Sequence, residues 1–322
     1  MRCRGAVAAA LVIALAGVIA FAPSVQAAGH DPDSNGECGQ RSWSFRNPRR
    51  IFNHVWVYEP TGDSDAVTGG RCDDEKRPAV FLAHGYSAIT PTLYQDMINH
   101  FTSRGHVVVF ANYSVIWSPG WQYRLVEAGF RHAMSRADRI DAANVGIVGH
   151  SFGGGMVPWL AQQADRHGWG TDSMWFVAMS PHFANLVGSG PIALPEHARL
   201  LVMNFAKDYF VDNRVGVEMH QSADLPSDQK QHFTIASGVF DGVWIESNHL
   251  SPNTVPFAGG PDGLDREAIW ASIDSLATCA STGEGCDDDY SAYGAWTDSP
   301  VDSGPTSVFG ECTFFINPRP CP

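Results

Sequence analysis

Positive charge is what this chain has least of: 21 Lys and Arg stand against 34 Asp and Glu, for a net charge of −13. A surface of that sign repels phosphate backbones and anionic headgroups, so nucleic acid and anionic membranes are excluded as expected partners. Also missing are the Cys-x-x-Cys and His-Glu-x-x-His spacings that encode thiolate-ligated and helix-borne zinc. No metal or other cofactor is therefore expected. No internal repeat occurs, which argues against solenoids and propellers. What is present is an apolar fraction of 44% in 322 residues, enough to bury the core of one large domain.

The first segment stands apart. Arg2 and Arg4 form a positive start, Ala6 to Phe21 an apolar stretch, and Val25-Gln26-Ala27 a small-residue cleavage site. These are the parts of a secretory signal over residues 1–27. A membrane anchor fits less well, because the apolar run is short and is followed by Pro23 and a cleavable site. The expected product is a secreted or periplasmic monomer without membrane attachment. Beyond the leader lie Cys38, Cys72, Cys279, Cys286, Cys312 and Cys321. An even number in an exported chain favours disulfides over metal ligation. Proximity pairs Cys38 with Cys72, Cys279 with Cys286, and Cys312 with Cys321, although sequence alone leaves the connectivity open.

The chain after the leader alternates apolar runs with helical patterns. Ala28 to Arg50 is polar and reads as a loop. Strands are expected at Ile51–Tyr58, Arg77–Gly85, Val107–Ala111, the run entering Gly149, Met174–Met179, Ala198–Asn204 and Phe233–Ala236. Helices are expected at Pro91–Ser103, Gln122–Ala137, after Phe152, near Asn213 and at Asp265–Leu276. Asn112–Trp121 reads as an aromatic loop in which Trp117 and Trp121 either line a cleft or pack beneath it. Such alternation implies an α/β fold with a mostly parallel central sheet and helices on both faces. That domain should cover residues 28–278, with a cysteine-containing extension over 279–322 packed back on it. Asp287-Asp288-Asp289 in the extension lacks EF-hand spacing and reads as a solvated loop.

The stretch with chemical content is Asn144–Met156, NVGIVGHSFGGGM. Gly149-His150-Ser151-Phe152-Gly153 spells Gly-x-Ser-x-Gly between an apolar run and a helix. In that context the serine sits on a turn too tight for side chains at the flanking positions, with its hydroxyl projecting above the sheet. The N–H of Phe152, at the helix start, is available to an oxyanion. An acid just past a late strand orients a catalytic histidine. Asp208 occupies such a turn, and Asp212 is the alternative, with a competing role as a helix cap. His249, in the loop Ser237–Pro252, is the candidate base, since His220 falls in an expected helix and His232 at a strand start. His182, following Met174–Met179, would face the same rim.

The order Ser151, Asp208, His249, with these loops, resembles the α/β-hydrolase family across roughly Ile51 to Thr278. His84-Gly85-Tyr86 and Gly149-His150-Ser151-Phe152-Gly153-Gly154 resemble its dienelactone-hydrolase, platelet-activating-factor-acetylhydrolase and polyester-hydrolase branch. The resemblance implies a serine hydrolase acting on carboxylic esters, with the N–H of Tyr86 as second oxyanion donor and no large lid domain. Asn248 departs from the glycine that many relatives carry before the histidine. Tyr86, Trp117, Trp121, His182 and Tyr209 are the candidate substrate contacts, favouring apolar or aromatic small-molecule esters or polymeric ones. A serine peptidase or thioesterase on the same fold, and a catalytically silent secreted binding protein, are the rival readings.

Overall fold

Strands that carry unbroken apolar runs need cover on both faces, and the sheet at the centre of this protein supplies it. The computed structural model describes residues 36, 38–62, 72, 76–113, 118–188, 191–254, 261–286 and 296–297. In chain order the strands are β1 (Gly39–Asn47), β2 (Arg50–Thr61), β3 (Arg77–Ala83), β4 (Val107–Ala111), β5 (Ile140–His150), β6 (Ser173–Met179), β7 (Ile192–Ala193), β8 (Arg199–Phe205), β9 (Ala223–Asp224), β10 (Lys230–Ile235), β11 (Gly238–Phe240), β12 (Val243–Ile245) and β13 (Trp296–Thr297). The helices are α1 (Gln95–Ser103), α2 (Pro119–Met134), α3 (Phe152–Arg166), α4 (Arg214–Ser222) and α5 (Ala271–Thr282), the last entered through a π-helical stretch at Leu264–Trp270.

The main sheet has the order β1-β2-β4-β3-β5-β6-β8-β10-β13. Its central strands β4 to β10 run parallel. β1, β2 and β13 extend it antiparallel at the two sides. Successive residues of one strand serve opposite layers. Phe81 and Ala83 join the cluster built with α2 and α3, where Phe81 stacks on Phe130 at 4.7 Å. Val80 and Leu82 join the cluster built with α1 and α5. β4 lies on one side of β3 and β5 on the other, so the winding reverses between them. The crevice beyond the carboxyl ends of strands at such a reversal is where open α/β sheets place ligands.

Three expectations need correction. Gly39–Asn47 is a strand paired with β2 and not a loop. Its sequence is polar overall, but Trp43 and Phe45 alternate inward onto the core, and the amide of Asn47 donates to the carbonyl of Leu125 at 2.9 Å. The expected loop Asn112–Trp121 gives way at Pro119, where α2 begins, because proline suits a first helical turn. Within Ser237–Pro252 the chain forms a hairpin of β11 and β12, turning at Asp241-Gly242. The leader, Trp117, Asp287–Asp289, Cys312 and Cys321 lie outside the described residues.

Disulfides join Cys38 to Cys72, with 5.5 Å between Cα atoms, and Cys279 to Cys286, with 4.9 Å. The second closes the end of α5, so that helix carries through the expected boundary at residue 279. Among the described residues no helix is long and apolar enough to cross a membrane.

Candidate functional site

Parallel pairing brings the ends of several strands to one edge. Ala83 of β3 is opposite Gly149 of β5, His150 is opposite Met179 of β6, and Phe205 of β8 is opposite Ile235 of β10. The loops that follow these strands carry Tyr86, Ser151, His182, Asp208 and His249. The Asp208 and His249 loops are tied directly, as Lys207 N–H donates to the carbonyl of Ser247 at 2.8 Å and Ala206 N–H to that of Ile235 at 2.9 Å.

Ser151 stands between β5 and α3 with φ 56° and ψ −119°. Such a positive φ is rare for a residue with a side chain and marks the sharp bend expected of the motif. The flanking glycines are demanded by close approach. A Cβ on Gly149 would press into the carbonyl of Gly153, and one on Gly153 into the carbonyl of Ala83. With those contacts open, Ser151 is buried to 7% exposure and its hydroxyl meets Nε2 of His249 at 3.0 Å. Nδ1 of His249 donates to Oδ2 of Asp208 at 2.7 Å. The three side chains thus form one hydrogen-bonded line.

Asp208 is held from its other side as well. Its Oδ1 accepts from Phe210 N–H at 2.8 Å and Val211 N–H at 2.9 Å. Burial alone would raise its pKa, but the hydrogen bond and charge of His249 and the Val211 N–H outweigh burial and bring it below the usual carboxylate value. Asp208 therefore stays ionised opposite the imidazole. Asp212 is engaged elsewhere, pairing with the Arg214 guanidinium and accepting from Arg214 N–H at 3.0 Å.

The remaining candidates fall into place unevenly. Phe152 is the first residue of α3, ahead of the intrahelical hydrogen bonds. Tyr86 lies in the turn after β3, exposed, with its ring 6.1 Å from that of Phe152. Gly85 brings this loop against the elbow, since a Cβ there would be 3.2 Å from that of Ser151. The N–H of His182 donates to the carbonyl of Ser151 at 2.8 Å. Burial first, then the nearby His249, lowers the pKa of His182 to about 4, and its buried Nδ1 has no hydrogen-bond partner among the described residues. Tyr209 is exposed beside Asp208. Trp121 sits in the first turn of α2 with the Arg49 guanidinium 6.0 Å above its ring.

Three side chains at this edge were not singled out from sequence. The ring of Phe210 lies 5.1 Å from that of His249, and its only sequence signal is adjacency to Asp208. His150 lies within the elbow motif itself, with its ring 4.8 Å from that of His249. Tyr94 reaches Nδ1 of His150 through its hydroxyl at 2.8 Å, a contact across 56 positions that no local pattern announces. Among the described residues no group of three His, Cys, Asp or Glu side chains is arranged to hold a metal ion. The arrangement provides a hydroxyl, an imidazole to take its proton and a carboxylate to orient that imidazole. No protein-family model and no curated protein matches the chain.

Proposed function

We propose that this protein is an exported serine hydrolase of carboxylic esters built on the α/β-hydrolase plan. The observation that carries the reading is the line Ser151 Oγ to His249 Nε2 at 3.0 Å and His249 Nδ1 to Asp208 Oδ2 at 2.7 Å, mounted on a positive-φ bend. His249 takes the proton from Ser151 as Oγ attacks the ester carbonyl. Asp208 holds the imidazole in the required tautomer and stabilises its protonated form. The N–H groups of Phe152 and Tyr86 donate to the tetrahedral oxyanion. His249 then returns the proton to the departing alkoxide, and a water activated by the same imidazole releases the acid from Ser151. No cofactor enters these steps. The two disulfides support export, since such bonds persist in oxidising compartments.

What borders the site supports a choice of substrate class. Tyr86, Ile89, Leu186, Tyr209, Phe210 and Leu250 are all exposed on loops at the edge that carries Ser151. Large apolar side chains gathered at one edge mark a binding surface. They favour esters of apolar or aromatic acids, small or polymeric.

Substituting Ser151→Ala is expected to abolish hydrolysis of short p-nitrophenyl esters and labelling by a fluorophosphonate, with an unchanged circular-dichroism spectrum. Undiminished turnover in the variant overturns the assignment. A wild-type protein that resists the fluorophosphonate indicates the silent binding protein instead. Faster turnover of matched amide or thioester substrates moves the activity to peptidase or thioesterase.

A further inference from the structure

One buried chain of hydrogen bonds runs behind Ser151 and takes no direct part in the steps above. Gly85 N–H donates to the hydroxyl of Tyr94 at 2.8 Å. That hydroxyl meets Nδ1 of His150 at 2.8 Å, and Nε2 of His150 meets the carbonyl of His249 at 2.9 Å. The directions are fixed by chemistry. A backbone carbonyl only accepts, so Nε2 of His150 carries the proton. Nδ1 of the neutral ring must then accept, and Tyr94 donates to it while receiving Gly85 N–H. The chain joins the loop that carries Tyr86 to the loop that carries His249, through the residue directly before Ser151.

A second set of contacts fastens the same two regions. Tyr94 closes the short helical turn Pro91–Tyr94. The far end of the His249 loop is strapped to that turn, since Thr254 N–H donates to the carbonyl of Leu93 at 2.8 Å and Asn253 Nδ2 to the same oxygen at 3.2 Å. Tyr94 is 0% exposed and His150 2% exposed, so neither exchanges these partners for water.

We infer that Tyr94 and His150 are positioning residues: a buried brace that holds the His249 loop and the Gly85-Tyr86 loop at their working distance from Ser151. The inference rests on the hydrolase reading above. It gives His150 a role apart from catalysis, because its two ring nitrogens are occupied by Tyr94 and a backbone carbonyl. The protonation states suit a brace that does not change with pH. Burial, then the neighbouring His249, lowers the pKa of His150 to about 3. Burial raises that of Tyr94 to about 12. The donor and acceptor roles therefore persist throughout the range in which a histidine base works.

The test separates the brace from the activity. In 15N-labelled protein, the side chain of His150 should show the neutral Nε2–H tautomer from pH 8 to pH 5. A ring that titrates in that interval, or that carries its proton on Nδ1, overturns the brace whether or not esters are cleaved. Turnover per active site, counted by fluorophosphonate titration well below the melting temperature, supplies the second arm. Tyr94→Phe leaves a buried N–H and a ring nitrogen unpaired, and is expected to lower kcat about tenfold with KM within about twofold. His150→Leu removes both bonds and should lower kcat about a hundredfold. His150→Gln restores a donor toward the His249 carbonyl and should recover most of that loss. Wild-type kcat per titrated site in Tyr94→Phe, or no recovery in His150→Gln relative to His150→Leu, overturns the inference. A wild-type protein that is not labelled at Ser151 overturns the hydrolase reading and, with it, the positioning role, while the tautomer measurement still reports on the hydrogen-bond chain.

Discussion

A serine held at φ 56° and ψ −119° occupies a conformation that costs a residue with a side chain on the order of 1–3 kcal/mol. The neighbours of Ser151 keep it there. Its N–H donates to the carbonyl of Met179 at 2.9 Å, and its own carbonyl accepts from His182 N–H at 2.8 Å and Gly155 N–H at 3.1 Å. The strain is thus over-determined where the hydroxyl meets His249. The acid is equally specific. Asp208 reaches the imidazole while satisfying its second oxygen on two backbone N–H groups, whereas Asp212 is committed to Arg214. Asp208→Asn is therefore expected to lower kcat by about 10³–10⁴-fold, because an amide facing Nδ1 favours the wrong tautomer. Asp212→Asn should leave kcat within a few-fold of wild type. Steady-state ester hydrolysis by the two variants decides the matter, and the reverse ranking would move the acid to Asp212. Ser151, Asp208 and His249 were legible in sequence because each follows a strand whose apolar run is easy to see. Tyr94 and Phe210 were not, since what brings them to the site is tertiary packing that leaves no periodic trace.

Among the elements, those with continuous or alternating apolar runs announced themselves, β2 at the side included, and the polar edge strand β1 did not. β3, β4, β6 and β8 are continuous apolar runs, and the sheet places them where such runs must go. β1 is half solvated, and its alternation of Trp43 and Phe45 with Ser and Arg is diluted by polar composition. The β11–β12 hairpin carried a plain signal in Asp241-Gly242, whose φ values of 49° and 76° suit the tight turn that favours this dipeptide. The strands on either side are only three residues each, too short for a visible alternation. At the edge strand, covalent chemistry adds to pairing. Cys38, just before β1, is bonded to Cys72 across a sequence separation of 34, so the bond closes a long loop in the unfolded chain. Replacing both cysteines by Ala should cost about 3–4 kcal/mol in denaturant-induced unfolding, by the loop-entropy relation. Loss of the shorter bridge, Cys279 to Cys286 with a separation of 7, should cost less. Equal midpoints for the wild type and the Cys38/Cys72 double variant would show that β1 is held by its ladder and its packing alone.

At the scale of the molecule, the Ser151–His249–Asp208 line and two acid-sensitive histidines share one edge of the sheet. His84 and His150, at the ends of β3 and β5, are 0% and 2% exposed, and burial lowers their pKa values to about 4 and about 3. Unfolding returns each ring to the ordinary imidazole value near 6.5, so between that pH and about 4 the unfolded chain binds protons that the folded chain refuses. Stability is complete above the unfolded value and is lost as pH falls toward the folded ones, by up to about 1.4 kcal/mol per pH unit for each ring. Asp265 works in the opposite sense. Burial, then the neighbouring Asp262, raises its pKa to about 8, so over the same window it is protonated only when folded and offsets about one histidine. His106, His182 and His232, lowered to about 4 mainly by burial, add to the loss. Taking His84 and His150 against Asp265 alone, these three groups lower stability by about 2 kcal/mol between pH 6.5 and pH 4.5. In a chain of this length that lowers Tm by on the order of 4–8 °C. Calorimetric scans at the two pH values test the balance. The sign carries the argument: an unchanged or higher Tm at pH 4.5 would mean that these rings take up protons within the fold, and a neutral His150 could then no longer be assumed behind Ser151.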